Sequence, residues 1–476
     1  MRTPEIEDTL EVHGIPGAKT RGKATMRSNG EGASKWLMAV FGLAGLSGLL
    51  LATAPIHADD GFSWDADLRL RTEYRGPFNY VDTGGGDPTS DDGTYSRLRL
   101  GLDYAVAPGI GLRLELQDSR VLGGDGGASA DADLGVQRAY FSMADMKDLG
   151  LFDWLGEMDP VALMIGRQEV PTYGDGYILG NNDWDNAGGS SFDGVRMKGS
   201  VGTDDFGVDA EYLYAELLNA DPYTTGANGA ADDTILWGFT ATTGDIPWVD
   251  LDAYYWVVNR SNSDDERIFG WRVSGALPDS LPLTGLDLSL EYAVADGRRD
   301  GDRLDANFWV LQGNYLFQMH DVPYWARFGV SHASGTSGDA SENETWQAPL
   351  PNAHAHLGRY DLFANSNIDD LWVGFGTELA SGMEIGADLH VFTLSEQDDG
   401  WYTVTGQQFG DGGSITDDDL GRELDVWARW GFLSESTLET GLSVFWAGDA
   451  VEEATGGYDD DGLFLYLQLS VPLGGS

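Results

Sequence analysis

The sequence predicts an all-β fold, a transmembrane antiparallel β-barrel of about 18 strands, and three observations predict it. Short segments with alternating apolar and polar residues recur along the chain, separated by clusters of Gly, Asp, Asn, Ser and Pro. After residue 58 no apolar run approaches the roughly 20 residues that a spanning helix needs. The polar faces carry charges in segment after segment. This pattern favours a barrel with a water-filled lumen over a soluble β-sandwich, which would also alternate.

The first 58 residues are predicted to be an N-terminal extension and a secretory signal peptide. Basic residues precede an apolar run from Trp36 to Ala54, and cleavage is expected after Ala58. A single membrane anchor is the alternative, because the run is nearly long enough to span a bilayer. Residues 59–476 are predicted to form one barrel in the outer membrane of a Gram-negative-type bacterium.

The segment RLRLGLDYAV shows the alternation that defines each predicted strand. Leu98 and Leu100 share one face, whereas Arg97 and Arg99 share the other, because side chains in a strand alternate with a period of two. The predicted strands span residues 64–76, 96–106, 110–120, 134–143, 161–170, 191–199, 205–217, 234–243, 248–259, 267–276, 286–295, 306–318, 324–333, 371–379, 383–395, 421–432, 437–449 and 462–473. Their number is even, as a closed antiparallel bacterial barrel requires.

The connections are predicted to be of two kinds. Tight ones such as 107–109 suit periplasmic turns, and longer ones such as 79–95 and 334–370 suit extracellular loops. The longest, 334–370, is a candidate plug or constriction. Trp and Tyr near strand ends are expected at the level of the lipid headgroups. These candidates are Trp64, Tyr74, Tyr104, Trp248, Tyr324, Trp372, Trp430 and Trp446.

Charge is distributed unevenly over the chain. A net charge of −50 argues against a nucleic-acid partner, and the absence of Cys excludes disulfides and thiol chemistry. Acidic residues crowd the predicted loops, whereas basic residues concentrate between positions 69 and 198 on the polar faces of strands. These basic residues include Arg69, Arg71, Arg75, Arg97, Arg99, Arg113, Arg167, Arg196 and Lys198. A row of arginines offers a polyanion successive weak sites, although pairing with carboxylates on neighbouring strands is an equally good interpretation of each.

Other chemistry has weaker sequence support. The acidic loops are candidates for Ca²⁺, but a solvated surface is the stronger interpretation because none has the ligand spacing of a calcium loop. His354 and His356 form an H-x-H pair in a predicted loop, where a solvated loop is commoner than a metal site. We therefore predict no catalytic residues, no metal site and no other cofactor.

The segment from Ile165 to Gly199 resembles the alginate-export family of outer-membrane porins. The matching features are Gly166-Arg167-Gln168-Glu169, Tyr173-Gly174, Asp183-Trp184 with Asn186, and Ser191-Phe192-Asp193-Gly194-Val195-Arg196. The resemblance implies an eighteen-stranded barrel with an arginine-lined, loop-gated pore for the polyuronate alginate. It makes Arg97, Arg99, Arg167 and Arg196 the first candidate pore residues. It adds Arg138 to the set, and Glu169 and Asp193 as wall partners.

The predicted function is that of a passive outer-membrane channel, not an enzyme, for anionic polysaccharide or oligosaccharide, used in export. Its expected partners are that polymer, outer-membrane lipid and periplasmic polymer-handling proteins. Two alternatives stay open from the sequence. One is a general or small-anion porin for uptake, and the other is an outer-membrane enzyme that acts on polysaccharide.

Overall fold

The structure is a computed structural model, and it describes most of the chain after residue 60. The described residues are 61–76, 91–122, 133–147, 160–184, 191–203, 206–217, 234–246, 248–259, 265–278, 283–338, 341–404, 406–410, 413–433, 435–457 and 461–475. The predicted signal peptide and the division at residue 58 lie outside these residues and stay predictions.

Eighteen strands form one closed antiparallel sheet. They are β1 (Phe62–Gly76), β2 (Asp91–Ala107), β3 (Ile110–Leu122), β4 (Asp133–Met143), β5 (Val161–Glu169), β6 (Ser191–Thr203), β7 (Phe206–Leu217), β8 (Thr234–Ile246), β9 (Val249–Asn259), β10 (Asp265–Ala276), β11 (Leu286–Arg299), β12 (Asp302–Met319), β13 (Val322–Ala333), β14 (Ile368–Glu378), β15 (Met383–Leu394), β18 (Asp419–Phe432), β19 (Ser436–Ala447) and β20 (Gly462–Gly475). A two-stranded hairpin, β16 (Trp401–Tyr402) and β17 (Gln408–Phe409), lies in the loop after β15, and the helices are α1 (Ala353–His356) and α2 (Asp449–Thr455).

The barrel closes because β1 pairs with both its sequence neighbour β2 and the last strand β20. Each of the eighteen predicted strands coincides with one observed strand, so the predicted fold class and strand number are confirmed. Most connections at one end of the strands are tight turns. At one of them Gly109 adopts a φ of 75°, a conformation that favours glycine. In outer-membrane barrels this end faces the periplasm.

Burial shows which strand face is inside. Leu98 and Leu100 are 44% and 39% exposed, whereas Arg97 and Arg99 are only 3% and 8% exposed. The apolar face therefore points outward, where lipid would cover it, and the polar face points into the lumen. No helix among the described residues is long and apolar enough to cross a membrane.

Two loops fold into the lumen. We call residues 170–184 the first inward loop and the described residues of 334–367 the second inward loop. They join where Leu179 pairs with Leu350, and both side chains belong to an apolar core. That core also takes in lumen-facing wall residues such as Phe308 and Phe445. The second loop thus occupies the position that the sequence predicted for a plug.

Candidate pore

An arginine wall lines the lumen along β1 to β4. We define it as Arg69, Arg71, Arg97, Arg99, Arg113 and Arg138, all of which were predicted from the sequence. Arg69 and Arg97 lie directly opposite each other in the register of β1 and β2, and Arg99 lies two residues from Arg97. The even spacing along each strand places these guanidinium groups on one face.

The first inward loop brings a carboxylate to this wall. Asp183 accepts two hydrogen bonds from Arg97, at 2.8 and 2.9 Å, and lies 3.1 Å from the guanidinium of Arg99. Arg69 and Arg71 donate to the backbone carbonyls of Asp183 and Trp184. The wall therefore anchors the tip of the loop through charge-assisted hydrogen bonds, including one bidentate pair.

The charge state of Asp183 follows from these contacts. Burial alone would raise the pKa of its carboxyl, but hydrogen bonds from Arg97 and the charges of Arg99 and Arg69 outweigh burial and hold the pKa below its usual range. A lowered pKa means that the anchor is fully formed above the unfolded value of about 3.9 and is lost as the pH falls through the lowered value. Asp183 thus stays ionised at neutral pH.

The remaining wall arginines bind carboxylates of their own strand, of adjacent strands and of β1. Arg113 donates to Asp65 at 2.7 Å and to Glu115 at 2.6 Å. Arg138 lies 2.9 Å from Glu169, which is also 3.3 Å from Arg99. The cross-strand pairing considered from the sequence is therefore present, and Glu169 is a wall partner in this geometry.

Arg167 and Asp193 bind each other with two hydrogen bonds of 2.9 Å. Asp193, however, lies on the opposite face of β6 from Phe192, which belongs to the lumen core. Asp193 also shares its face with Val195, whose register partner Ile165 is 46% exposed. The structure thus places this pair on the outer face near the long loops, and we no longer propose either residue for the pore.

Arg196 and Lys198 lie on the lumen face of β6. Arg196 binds Glu211, which also accepts a hydrogen bond from Tyr173 of the first inward loop. Lys198 lies 3.8 Å from Asp209, and its side chain is half exposed. Arg196 therefore supports the loop, whereas Lys198 lies nearer the turn end.

Further cations line the lumen, and of these only Arg75 belongs to the basic set identified from the sequence. Arg75 donates to the carbonyl of Tyr360 at 2.8 Å, and Arg272 binds Asp175 of the first inward loop at 2.8 Å. Others are Arg327, Arg359, Arg429 and Arg299, which donates to the carbonyl of Thr345 in the second inward loop at 2.6 Å. Alternation along the strands could have found all of them except Arg359, which belongs to the second inward loop.

Three cavities adjoin one another in the described part of the lumen. One of about 930 Å³ lies between β10 and β18, and shares Arg327, Arg359 and Arg429 with a second of about 400 Å³. The second shares Arg69 and Asp183 with a third of about 250 Å³ at the arginine wall. A hydrated solute therefore meets both exposed cations and the Asp183 anchor.

The H-x-H pair holds the two inward loops together. His354 stacks on Trp184 with 3.8 Å between ring centroids, and His356 stacks on Tyr177 with 3.7 Å. His354 also contacts Asp361 at 2.7 Å. No group of three His, Cys, Asp or Glu side chains in the described part of the chain is placed to hold a metal. Several acidic loops extend beyond those residues, so Ca²⁺ binding stays a prediction.

Acidification from pH 7 to pH 5 is expected to loosen the second inward loop. Burial lowers the pKa of His356 to about 4, with Arg327 and His390 acting in the same direction and Asp175 opposing them. Because the unfolded pKa is about 6.5, the stabilisation is complete above that value and is lost as the pH falls towards 4. The loss at pH 5 is about 2 kcal/mol. More frequent conductance fluctuations of single channels at pH 5 would show it.

The matched control is His356→Phe, which keeps a ring against Tyr177 but cannot titrate. We expect this variant to lose the additional fluctuations between pH 7 and pH 5. An identical pH response in both proteins would assign the effect to other groups.

Solved structures similar to this chain include an outer membrane protein. OccK11 (OpdR) of Pseudomonas aeruginosa has a TM-score of 0.54 and 14% identity, covering 88% of this chain and 98% of its own. OccAB2 of Acinetobacter baumannii has a TM-score of 0.55 and 12% identity, covering 87% and 98%. The outer membrane protein OprD of Pseudomonas aeruginosa has a TM-score of 0.53 and 12% identity, covering 87% and 94%. At these identities the likeness shows the fold alone.

A search of curated proteins found no match. Residues 62–462, nearly the whole barrel, match the sequence profile of the family described as alginate export. The family and the fold are those of an outer-membrane channel. The resemblance noted from the sequence is therefore confirmed, and the chain belongs to the alginate export family.

Proposed function

We propose that this channel passively conducts an anionic polysaccharide, an alginate-like polyuronate, outward through the arginine-lined lumen. The observation that carries the proposal is the binding of Asp183 by Arg97, Arg99 and Arg69. A loop carboxylate there occupies a site with the charge and bidentate geometry that a uronate carboxylate would use.

In this mechanism the polymer carboxylates exchange with the carboxylates already in the lumen. Five arginines of the wall, Arg71, Arg97, Arg99, Arg113 and Arg138, have a carboxylate partner, so an incoming uronate replaces one ion pair with another. Exchange keeps every site weak enough to release the polymer, which conduction requires. The channel needs no chemical step, so we propose no enzymatic activity.

Block of the ion current by alginate tetrasaccharide tests the substrate class. In planar bilayers we expect block at micromolar concentration, and no block by uncharged maltotetraose. Asp183→Asn should lower the half-blocking concentration by about tenfold, because it removes the competing carboxylate. Anion conductance without uronate block would instead support a small-anion porin, and turnover of alginate by the purified protein would support an enzyme.

The direction of transport needs a cellular test. For export, a strain that lacks the protein should accumulate uronate polymer in the periplasm, and the wild-type chain should restore secretion. Normal secretion together with impaired growth on uronate oligomers would support uptake.

A further inference from the structure

Three tryptophans line the cavity of about 930 Å³ in a sector of the wall away from the arginine wall. They are Trp325 on β13, Trp372 on β14 and Trp427 on β18. Trp372 was expected at the headgroup level, but its strand face is the lumen face, because its neighbours Leu371 and Val373 are 58% and 50% exposed. We call these three residues the indole platform.

Glycines on adjacent strands hold the three rings against the wall. A Cβ atom added to Gly329 would lie 2.6 Å from the Trp372 ring, and one on Gly386 would lie 2.6 Å from Trp427 and 2.7 Å from Trp325. Another on Gly376 would collide with Trp325. Only glycine leaves room for rings this close to the backbone.

The Trp325 and Trp427 rings together form one nearly flat aromatic surface. Their planes differ by 13°, their centroids lie 6.0 Å apart, and both rings meet above Gly386. Trp372 continues the aromatic surface towards His390, whose ring lies 6.3 Å away at 29°. The wall therefore presents a series of aromatic rings beside the cavity.

Exposed cations lie beside this surface. The guanidinium of Arg327 lies 5.2 Å from the Trp325 centroid and 5.9 Å from the Trp372 centroid. Its Nε and Nη2 atoms bind Asp388, which leaves Nη1 for another acceptor. Arg429 lies two residues from Trp427, and its side chain is 50% exposed.

We propose that the indole platform binds the apolar face of pyranose rings, while Arg327 and Arg429 bind the carboxylates of the same sugar acid. The proposal rests on the proposed function and names the part of the lumen that recognises the sugar ring. A pyranose ring that stacks on a flat aromatic surface buries apolar area without needing a hydrogen bond. Successive sugar rings of the polymer can therefore replace one another on the platform. Arginines alone would bind any polyanion, whereas the platform adds selectivity for pyranoses.

A purely structural role is the competing explanation for these rings, because indoles packed on glycines also stabilise a sheet. The two explanations differ in what replaces the ring. Leucine supplies apolar cover but no extended flat face, and phenylalanine retains a flat face. The double variants Trp325→Leu/Trp372→Leu and Trp325→Phe/Trp372→Phe therefore separate binding from structural support.

The experiment measures single-channel residence times of two probes, alginate tetrasaccharide and tetraglutamate, which has four side-chain carboxylates and no sugar ring. We expect the leucine variant to shorten the tetrasaccharide residence time by about tenfold and the phenylalanine variant to shorten it much less. The residence time of tetraglutamate should stay the same. Unchanged ion conductance would show that the barrel has folded.

Two results would overturn the platform. The first is an unchanged tetrasaccharide residence time in the leucine variant, and the second is an equal loss for both probes. Either leaves the proposed function intact if the wild-type channel is blocked. Absence of block in the wild-type channel would instead overturn the proposed function and the platform with it.

Discussion

Replacing Arg97 and Arg99 together by serine is expected to lower the ratio of anion to cation permeability by about tenfold. The two arginines contact the carboxylate of Asp183, and Arg99 also lies 3.3 Å from Glu169. Their removal leaves two carboxylates in the lumen with fewer cations beside them, so the local electrostatic potential becomes more negative. The measurement is the reversal potential in a salt gradient. The shift should shrink at high salt, because the Debye length is only about 10 Å at about 0.1 M.

Two further variants fix the sign of this effect. Asp183→Asn should shift the reversal potential in the opposite direction, because it removes a negative charge from the same site. Arg120→Ser changes the charge by one unit near the long-loop end, where Arg120 is exposed and bound to Asp118, and should leave the reversal potential unchanged. An unchanged potential in the double serine variant would show that Arg97 and Arg99 do not control permeation.

The barrel itself could be predicted because alternation is a local property. In β2 the alternation of leucine and arginine is enough to identify the strand and its two faces. The same rule identifies the remaining strands of the barrel. Strand ends are less certain. β12 begins at Asp302, four residues before its predicted start. Leu304 and Ala306 are both buried on the lumen face, so the alternation starts earlier in the chain than predicted.

The site required information that alternation does not carry. Asp183 lies 86 residues from Arg97 and 114 from Arg69 in sequence, and nothing local shows that its loop turns into the lumen. Asp193 illustrates a different error. It is three residues from Arg196 on one strand, and an odd separation places two side chains on opposite faces. Applied to that pair, the rule would have placed Asp193 outside.

The inward loops depend on contacts between apolar residues that look unremarkable in sequence. Trp346 occurs in a segment with neither strand nor helix periodicity, yet it is fully buried in the lumen core. Its ring stacks on Phe308 of the wall with 5.7 Å between centroids. Polar contacts complete the attachment, since Thr345 donates to Asp399 of the following loop at 2.5 Å. The plug and the lumen wall therefore share one apolar core inside the barrel.

Trp346→Ala should detach the second inward loop from the wall and leave the barrel intact. Loss of a buried tryptophan costs about 3–5 kcal/mol, which is large relative to the attachment of one loop. The strands are joined by a closed ladder of backbone hydrogen bonds that does not include Trp346, so their pairing should persist. We expect higher single-channel conductance and faster proteolysis between residues 341 and 367.

The matched control for this variant is Trp309→Ala. Trp309 follows Phe308 on β12 and faces outward, stacking on His332 with 5.8 Å between ring centroids. Trp309→Ala also removes an indole, but from the outer face of the strand that carries Phe308. Conductance and the proteolysis of the second inward loop should therefore both stay at the wild-type level. If Trp346→Ala also behaved as wild type, the loop would be held by its ion pairs and histidine stacks, and its apolar core would contribute little to the closed state. The paired tryptophan variants thus decide whether apolar packing or charge holds the plug in the lumen.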